Sequence, residues 1–211
     1  MDDIGVFEAI HSQRQFTRYK PDLVPREAID KIIDAATKAP SGGNKQPWHF
    51  IAITERDLID KIGGLYRDLW LGAMGATAPP GEPPAYTSAR YLANHMPEVP
   101  AMILVCADHT KGTVPYTKGD TIERGRYASS LWLAVQNLFL AARALGLGTR
   151  ITTTHLREEQ KVKDLAGDTR PRGDALLDTA GLSERPLRPD RPDPLGRRLV
   201  LQPLRGEIDS N

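Results

Sequence analysis

The chain has 211 residues, 40% hydrophobic and 26% charged, with a formal net charge of +1. That is enough chain for one domain with a real core, and a balance near zero without long single-sign runs speaks against a nucleic-acid or membrane-surface partner. The lone cysteine, Cys106, excludes an intrachain disulfide and points to a reducing cytoplasm, and neither a signal peptide nor an apolar run approaching the ~20 residues of a membrane span is visible.

In chain order, Asp2 and Asp3 can cap a short first helix with Val6, Phe7 and Ile10 on one face. "RQFTRYKP" loses that period and reads as extended. Pro25 suits the first turn of a second helix, whose apolar stripe is Ile29, Ile32, Ile33 and Ala36. The helix runs into "APSGGNKQPW", a junction with more glycine and polar residues than a plain turn requires, and a strand follows from Trp48 to Thr54. A third helix carries Leu58, Ile59, Ile62, Leu65, Tyr66 and Leu69. From Gly72 to Ser88 no period survives, and the stretch reads as a long surface loop of the kind that forms lids.

"AMILVCAD" is a continuous apolar run of strand length, as expected of a central strand covered on both faces. "TKGDTIERGR" reads as a polar connection. Next comes the most apolar segment, "YASSLWLAVQNLFLAARALGLG"; between Leu131 and Leu145 only Gln136, Asn137 and Arg143 are strongly polar. A helix of that kind must be covered on nearly all sides, at the centre of the chain or at a subunit interface. "TRITTT" is strand-like, Leu156 to Ala166 reads as an amphipathic helix, and "DALLDTAGL" as a last core strand. The Pro- and Arg-rich tail after Ser183 is too irregular to hold a core of its own. Helices alternating with apolar strands make this an α+β (mixed α/β) chain with one central mixed sheet.

The Walker and dinucleotide glycine loops are absent, as are a G-x-S-x-G elbow and any zinc-like spacing of the five histidines. Chemistry is therefore expected from a cofactor rather than from a catalytic triad. The small polar residues of "PSGGN" would let a planar polar ligand approach closely, although helix stop, turn and strand start also account for them locally.

Four segments in order, "QRQFTRYKPDLVP", "PSGGNKQPW", "AVQNLFLAARALGLGT" and "TTTHL", resemble the nitroreductase-like FMN flavoprotein family, which includes the iodotyrosine deiodinases; they span roughly residues 8 to 166. The resemblance implies a single nitroreductase-like domain over 1–211, an intertwined homodimer with FMN at the subunit interface, a mobile cover at 72–90 and an extended arm from about 183 to 211. Its N-terminal basic motif falls on Gln13, Arg14, Gln15, Phe16 and Thr17, where only Arg14 keeps a charge; Arg14 is assigned to the phosphate, with Gln13, Gln15 and Thr17 as hydrogen-bonding neighbours. Pro40, Ser41, Gly42 and Asn44 match the loop that packs against FMN, usually from the other subunit. Thr152, Thr153 and Thr154 match the strand that meets flavin N5, with Thr153 and Thr154 as the N5 contacts. Arg197 falls where the family places its last phosphate-binding base.

The implied activity is an FMN-dependent oxidoreductase with NADH or NADPH as reductant, in which hydride passes through flavin N5 in ping-pong fashion to a small electron-poor aromatic acceptor such as a nitroaromatic or quinone. The alternatives are a reductive dehalogenase of halophenols or halotyrosines, suggested by "TTTHL", and a flavin-binding store or redox sensor without turnover. No metal, nucleic acid or membrane partner is expected.

Overall fold

The computed structural model describes residues 4–108, 111, 121–167 and 173–181. The elements are α1 (Val6–Ser12), α2 (Arg26–Thr37), β1 (Trp48–Ile53), α3 (Arg56–Met74), α4 (Pro84–His95), β2 (Ala101–Ala107), α5 (Thr121–Ala144), β3 (Gly148–Thr152), α6 (Glu159–Leu165) and β4 (Gly173–Gly181). The four strands form one sheet in the order β1-β2-β4-β3. Every pairing between these strands is antiparallel. The parallel component of the expected mixed sheet is a single bridge between Gln15 and Thr149.

β2 is buried at every position because helices cover both faces of the sheet. Its side chains alternate. Ala101, Ile103, Val105 and Ala107 pack with Ile29, Ile32 and Ala36 of α2 and with Leu131, Val135 and Leu138 of α5. Met102, Leu104 and Cys106 pack with Ile59, Ile62, Tyr66 and Trp70 of α3, Leu92 and Ala93 of α4, and Val162 of α6. At Gly63 the approach of α3 to the turn at Met96–Glu98 leaves no room for a side chain: a Cβ there would lie 2.7 Å from the backbone nitrogen of Pro97.

Four expectations change on folding. The apolar face assigned to α1 is turned outward: Val6, Phe7 and Ile10 are exposed, while Ala9 and Ser12 are buried. The small face docks because Arg143 of α5 donates from Nε to Ser12 Oγ at 2.8 Å. The cap of α1 is Gly5, and Asp2 and Asp3 lie outside the described residues. Likewise α5 buries Leu131, Ala134, Val135, Leu138, Phe139 and Ala142 at helical spacing but leaves Trp132 and Leu133 about half exposed, at 45% and 49%; the described residues cover one side of this helix. α5 also begins at Thr121, inside the segment read as a polar connection.

The fourth change concerns the stretch read as one long loop. α3 continues to Met74 and α4 starts at Pro84, leaving only 75–83 irregular. Proline at the first helical position is a start signal, and Leu92, Ala93 and Met96 provide a buried apolar stripe. "TTTHL" likewise divides: β3 ends at Thr152, Thr153 caps a 3-10 turn over Thr154–Glu158, and α6 follows. The C-terminal arm, with Arg197, lies outside the described residues.

Candidate functional site

Residues 13–17 lie along the free edge of β3. The main-chain N–H of Phe16 donates to the Thr149 carbonyl at 2.9 Å, and the N–H of Ile151 donates to Gln15 Oε1 at 2.8 Å. The Phe16 ring fills the space over Gly148, where a Cβ would come within 2.8 Å of Phe16 Cδ2. The parallel register carries Thr17 towards Thr152 and leaves Gln13 and Arg14 towards the start of β3. Two of the four expected groups, 13–17 and the threonines, are thus brought near one another in one chain.

Arg14 is exposed; its Nη1 donates to the carbonyls of His11 and Gln13, both at 2.6 Å. No carboxylate pairs with it among the described residues, so its charge is available to an anion. Gln13 donates from Nε2 to the Arg14 carbonyl at 3.3 Å. Thr17 is buried and its Oγ1 lies 2.7 Å from Ser88 Oγ on α4. Thr152 is buried, Thr153 is exposed, and Thr154 N–H points to Thr152 Oγ1 at 3.4 Å.

The loop after α2 is built differently. Pro40 is exposed, Ser41 is half-buried, and a 3-10 turn spans Gly42–Asn44. Gly43, Asn44 and Gln46 all have positive φ, at 60°, 54° and 48°. For Asn44 and Gln46 that left-handed backbone is disfavoured and has to be held by its surroundings. Ser41 does this: its carbonyl accepts from Asn44 N–H and its Oγ from Gln46 N–H, each at 2.9 Å. Gln46 Nε2 donates to Asn44 Oδ1 at 3.1 Å, and Lys111 Nζ donates to the Gln46 carbonyl at 3.2 Å. The result is a preformed, exposed loop whose conformation is fixed by its own hydrogen bonds and whose small residues leave room for close approach of a ligand.

This loop leads into β1, whereas the threonines end β3. They are not level with one another: Thr152 pairs with Leu177, Leu177 with Leu104 and Leu104 with Ile51, so the end of β3 lies across from the middle of β1 rather than from Trp48. They also lie on opposite edges, three strand spacings or roughly 14 Å across the sheet before that offset along the strands is added. One chain does not bring Pro40, Ser41, Gly42 and Asn44 to the 13–17 group.

Two residues of α4 contact this region, Ser88, which the sequence did not mark, and Tyr91, which it marked with Tyr86 as able to stack on an aromatic ligand; Arg90 fastens the helix itself. Ser88 meets Thr17. Tyr91 carries the Arg18 guanidinium 3.4 Å from its ring centre and stacks on His95 at 3.9 Å. Arg90, buried, binds the Glu82 carboxylate and the Gly75 carbonyl and lies 5.1 Å from the Trp70 ring. Thr87 Oγ1 adds a 3.1 Å bond to Glu82, and the hydrogen bond from Arg90 holds the Glu82 carboxyl below the usual carboxylate range. Tyr86 is exposed, and Tyr91 is engaged by its neighbours rather than open to a ligand. Among the described residues no His, Cys, Asp and Glu group is placed to hold a metal, and no helix is long and apolar enough to cross a membrane.

The fold, one antiparallel sheet with helices on both faces, is shared with proteins of known structure. A nitroreductase with bound FMN from Desulfitobacterium hafniense superposes with a TM-score of 0.67 at 18% identity, covering 95% of this chain and all of that one. Residues 11–175 match the nitroreductase family, and the chain belongs to it. A Methanothermobacter thermautotrophicus protein named as an NADH dehydrogenase/NAD(P)H nitroreductase is 31% identical over 157 residues, 74% of this chain and 65% of that relative. The chain thus spans just under two thirds of that relative's length. Iodotyrosine deiodinase 1 of Rattus norvegicus is 36% identical over a shorter stretch of 56 residues, 26% of this chain and 20% of its own length.

Proposed function

We propose that the protein is an FMN-dependent NAD(P)H oxidoreductase that works as a homodimer and reduces small electron-poor aromatics such as nitroaromatics or quinones. The observation that carries this reading is the seating of 13–17 on the β3 edge beside Thr152, Thr153 and Thr154, in a chain of the nitroreductase family.

The residues fit the cofactor. Arg14 provides an exposed cation for a phosphate dianion, with the Gln13 amide beside it. Gln15, whose Oε1 is taken by Ile151, has its amide N–H2 left to face a ribityl or ring edge. Thr153 and Thr154 place main-chain N–H groups and hydroxyls just past the end of β3, without an acid or base among them. At position 17, where the resemblance leads one to expect a basic residue, this chain has a buried threonine held by Ser88, so the pyrimidine edge is served by neutral donors there. FMN, when bound, supplies the hydride-accepting and hydride-donating centre that no side chain here provides. The chain's own part is to bind, orient and shield it, and to leave one open face for reductant and acceptor in turn.

A second copy supports the same reading on two grounds. The 40–46 loop lies three strands across the sheet from the threonines of its own chain, more than roughly 14 Å away, beyond reach of one small ring edge. The outward residues Val6, Phe7, Ile10, Trp132 and Leu133 form the kind of apolar surface that a partner covers. Arg197 belongs to the same proposal as a phosphate contact.

The test is direct. Protein purified or reconstituted with FMN should be yellow, elute as a dimer, and bleach anaerobically on adding NADH or NADPH, with colour restored by a nitroaromatic or quinone. Protein that takes up no FMN overturns the proposal. Yellow protein that neither nicotinamide reduces would mark a flavin-binding protein without turnover instead.

A further inference from the structure

Ser88 and Tyr91 are the α4 residues that contact the 13–18 segment. Both sit on α4, a helix whose start is fastened to the end of α3. Arg90 bridges Glu82, the Gly75 carbonyl and, at 3.4 Å, the Met74 carbonyl, while Thr87 braces Glu82 from the next turn. Arg90 and Glu82 side chains are only 9% and 5% exposed, so ions in the surrounding water screen this junction little.

From that fixed helix two contacts reach the cofactor-facing segment. Ser88 and Thr17 share a 2.7 Å hydroxyl–hydroxyl bond in a part-buried setting. The next residue, Arg18, lies flat against the Tyr91 ring at 3.4 Å, and that ring is backed by His95 at 3.9 Å with an interplanar angle of 13°. His95 is itself oriented by a 2.8 Å contact between Nδ1 and the Tyr91 carbonyl. The segment's other contacts include the Phe16 N–H bond to the Thr149 carbonyl, the Ile151 N–H bond to Gln15, the Phe16 ring over Gly148 and the Tyr19 hydroxyl donating to the Phe16 carbonyl at 3.0 Å. Its ladder to β3 is an isolated bridge, and an edge segment of that length has little stability of its own. The stack also decides which basic residue faces the cofactor: Arg18, next to the missing cation at 17, is turned away onto Tyr91, and Arg14 is left as the free charge.

We propose that α4 is the positioning element for the FMN-binding segment, with Ser88 and Tyr91 as positioning residues that hold 13–18 in register on β3. The inference rests on the FMN reading above. Neither residue touches the cofactor in this scheme; each acts through Thr17 or Arg18.

The experiment is an FMN titration, followed by flavin fluorescence, with the thermal midpoint of each protein recorded with and without FMN. Ser88→Ala should weaken FMN binding about 3- to 10-fold, the loss expected for one net hydrogen bond. Thr17→Ala should weaken binding at least as much, and the double variant should be no weaker than Thr17→Ala alone, because Ser88 acts only through Thr17. Ser88→Thr should restore affinity. Tyr91→Leu should cost about 2- to 5-fold, in line with a part-exposed cation–π contact, while Tyr91→Phe, which keeps the ring, should match the parent. A purely structural pair would lower both midpoints equally; a positioning pair shrinks the gain on adding FMN. Parent-like FMN affinity in Ser88→Ala, or strictly additive losses in the double variant, overturns the inference while leaving the FMN reading intact. Failure of the unaltered protein to bind FMN overturns both.

Discussion

The two faces of the sheet are covered by similar amounts of helix but finished differently on the outside. Over Met102, Leu104 and Cys106, α3 and α4 bury an apolar stripe and turn mostly polar residues outward, with surface pairs such as Arg56–Asp60 and Arg67–Asp68. Over Ile103 and Val105, α2 ends the same way, but α5 and α1 leave Trp132, Leu133, Phe7, Val6 and Ile10 in solvent. Equal inner burial with unequal outer finish separates what stabilises the chain from what remains for a partner. Exposed charge pairs on the first face add little to stability, roughly 0–1 kcal/mol each; their polarity keeps that face in water.

Truncating the two cores tests the equality of the inner layers. Leu138→Ala on the α5 side and Leu92→Ala on the α4 side each remove a side chain buried to 1% exposure or less, and each should cost about 2–5 kcal/mol in urea unfolding. A cost near zero for either would mean that its face is not a packed layer. The outer difference is tested by Trp132→Glu. At 45% exposure, the substitution should change the stability of an isolated chain by about 0.5 kcal/mol or less, yet shift sedimentation from dimer to monomer and reduce FMN uptake with it. A Trp132→Glu protein that stays dimeric would place the partner elsewhere.

The smallest expected effect concerns the Arg90 junction on the polar-finished side. Because Glu82 has a depressed folded pKa, chiefly through its hydrogen bond from Arg90, its contribution is complete above the unfolded carboxylate value, about 4.3, and is lost as pH falls through the lower folded value. Glu82→Gln should lower the thermal midpoint at pH 7 and flatten its fall below about pH 4. An unchanged acid profile would show that the pair does not hold the 75–83 connection.

Elements whose signal is local were legible. Ile29, Ile32 and Ala36 announce the buried side of α2, and the unbroken run of β2 announces a strand covered twice. The 40–46 loop stood out in sequence by its glycines and small polar residues, but its left-handed Asn44 and Gln46, and the hydrogen bonds that hold them, appear only in the fold. α4 was not legible, since the prolines and glycines before it masked a start signal at Pro84. The face of α1 was misread because periodicity identifies an apolar stripe without saying whether its own chain will meet it.

Composition and order of residues alone therefore determined the α+β class, the central strand, the helix stripes and the family resemblance, since each depends on spacing within one element or on a short contiguous segment. Tertiary structure alone decided that Thr17 meets Ser88 across 71 positions, that Arg18 rather than Arg14 is taken up by Tyr91, and that the loop and the threonines lie on opposite edges of one sheet. Those outcomes depend on strand order and helix docking, which bring distant residues together through packing of the whole chain and leave no periodic trace in the sequence.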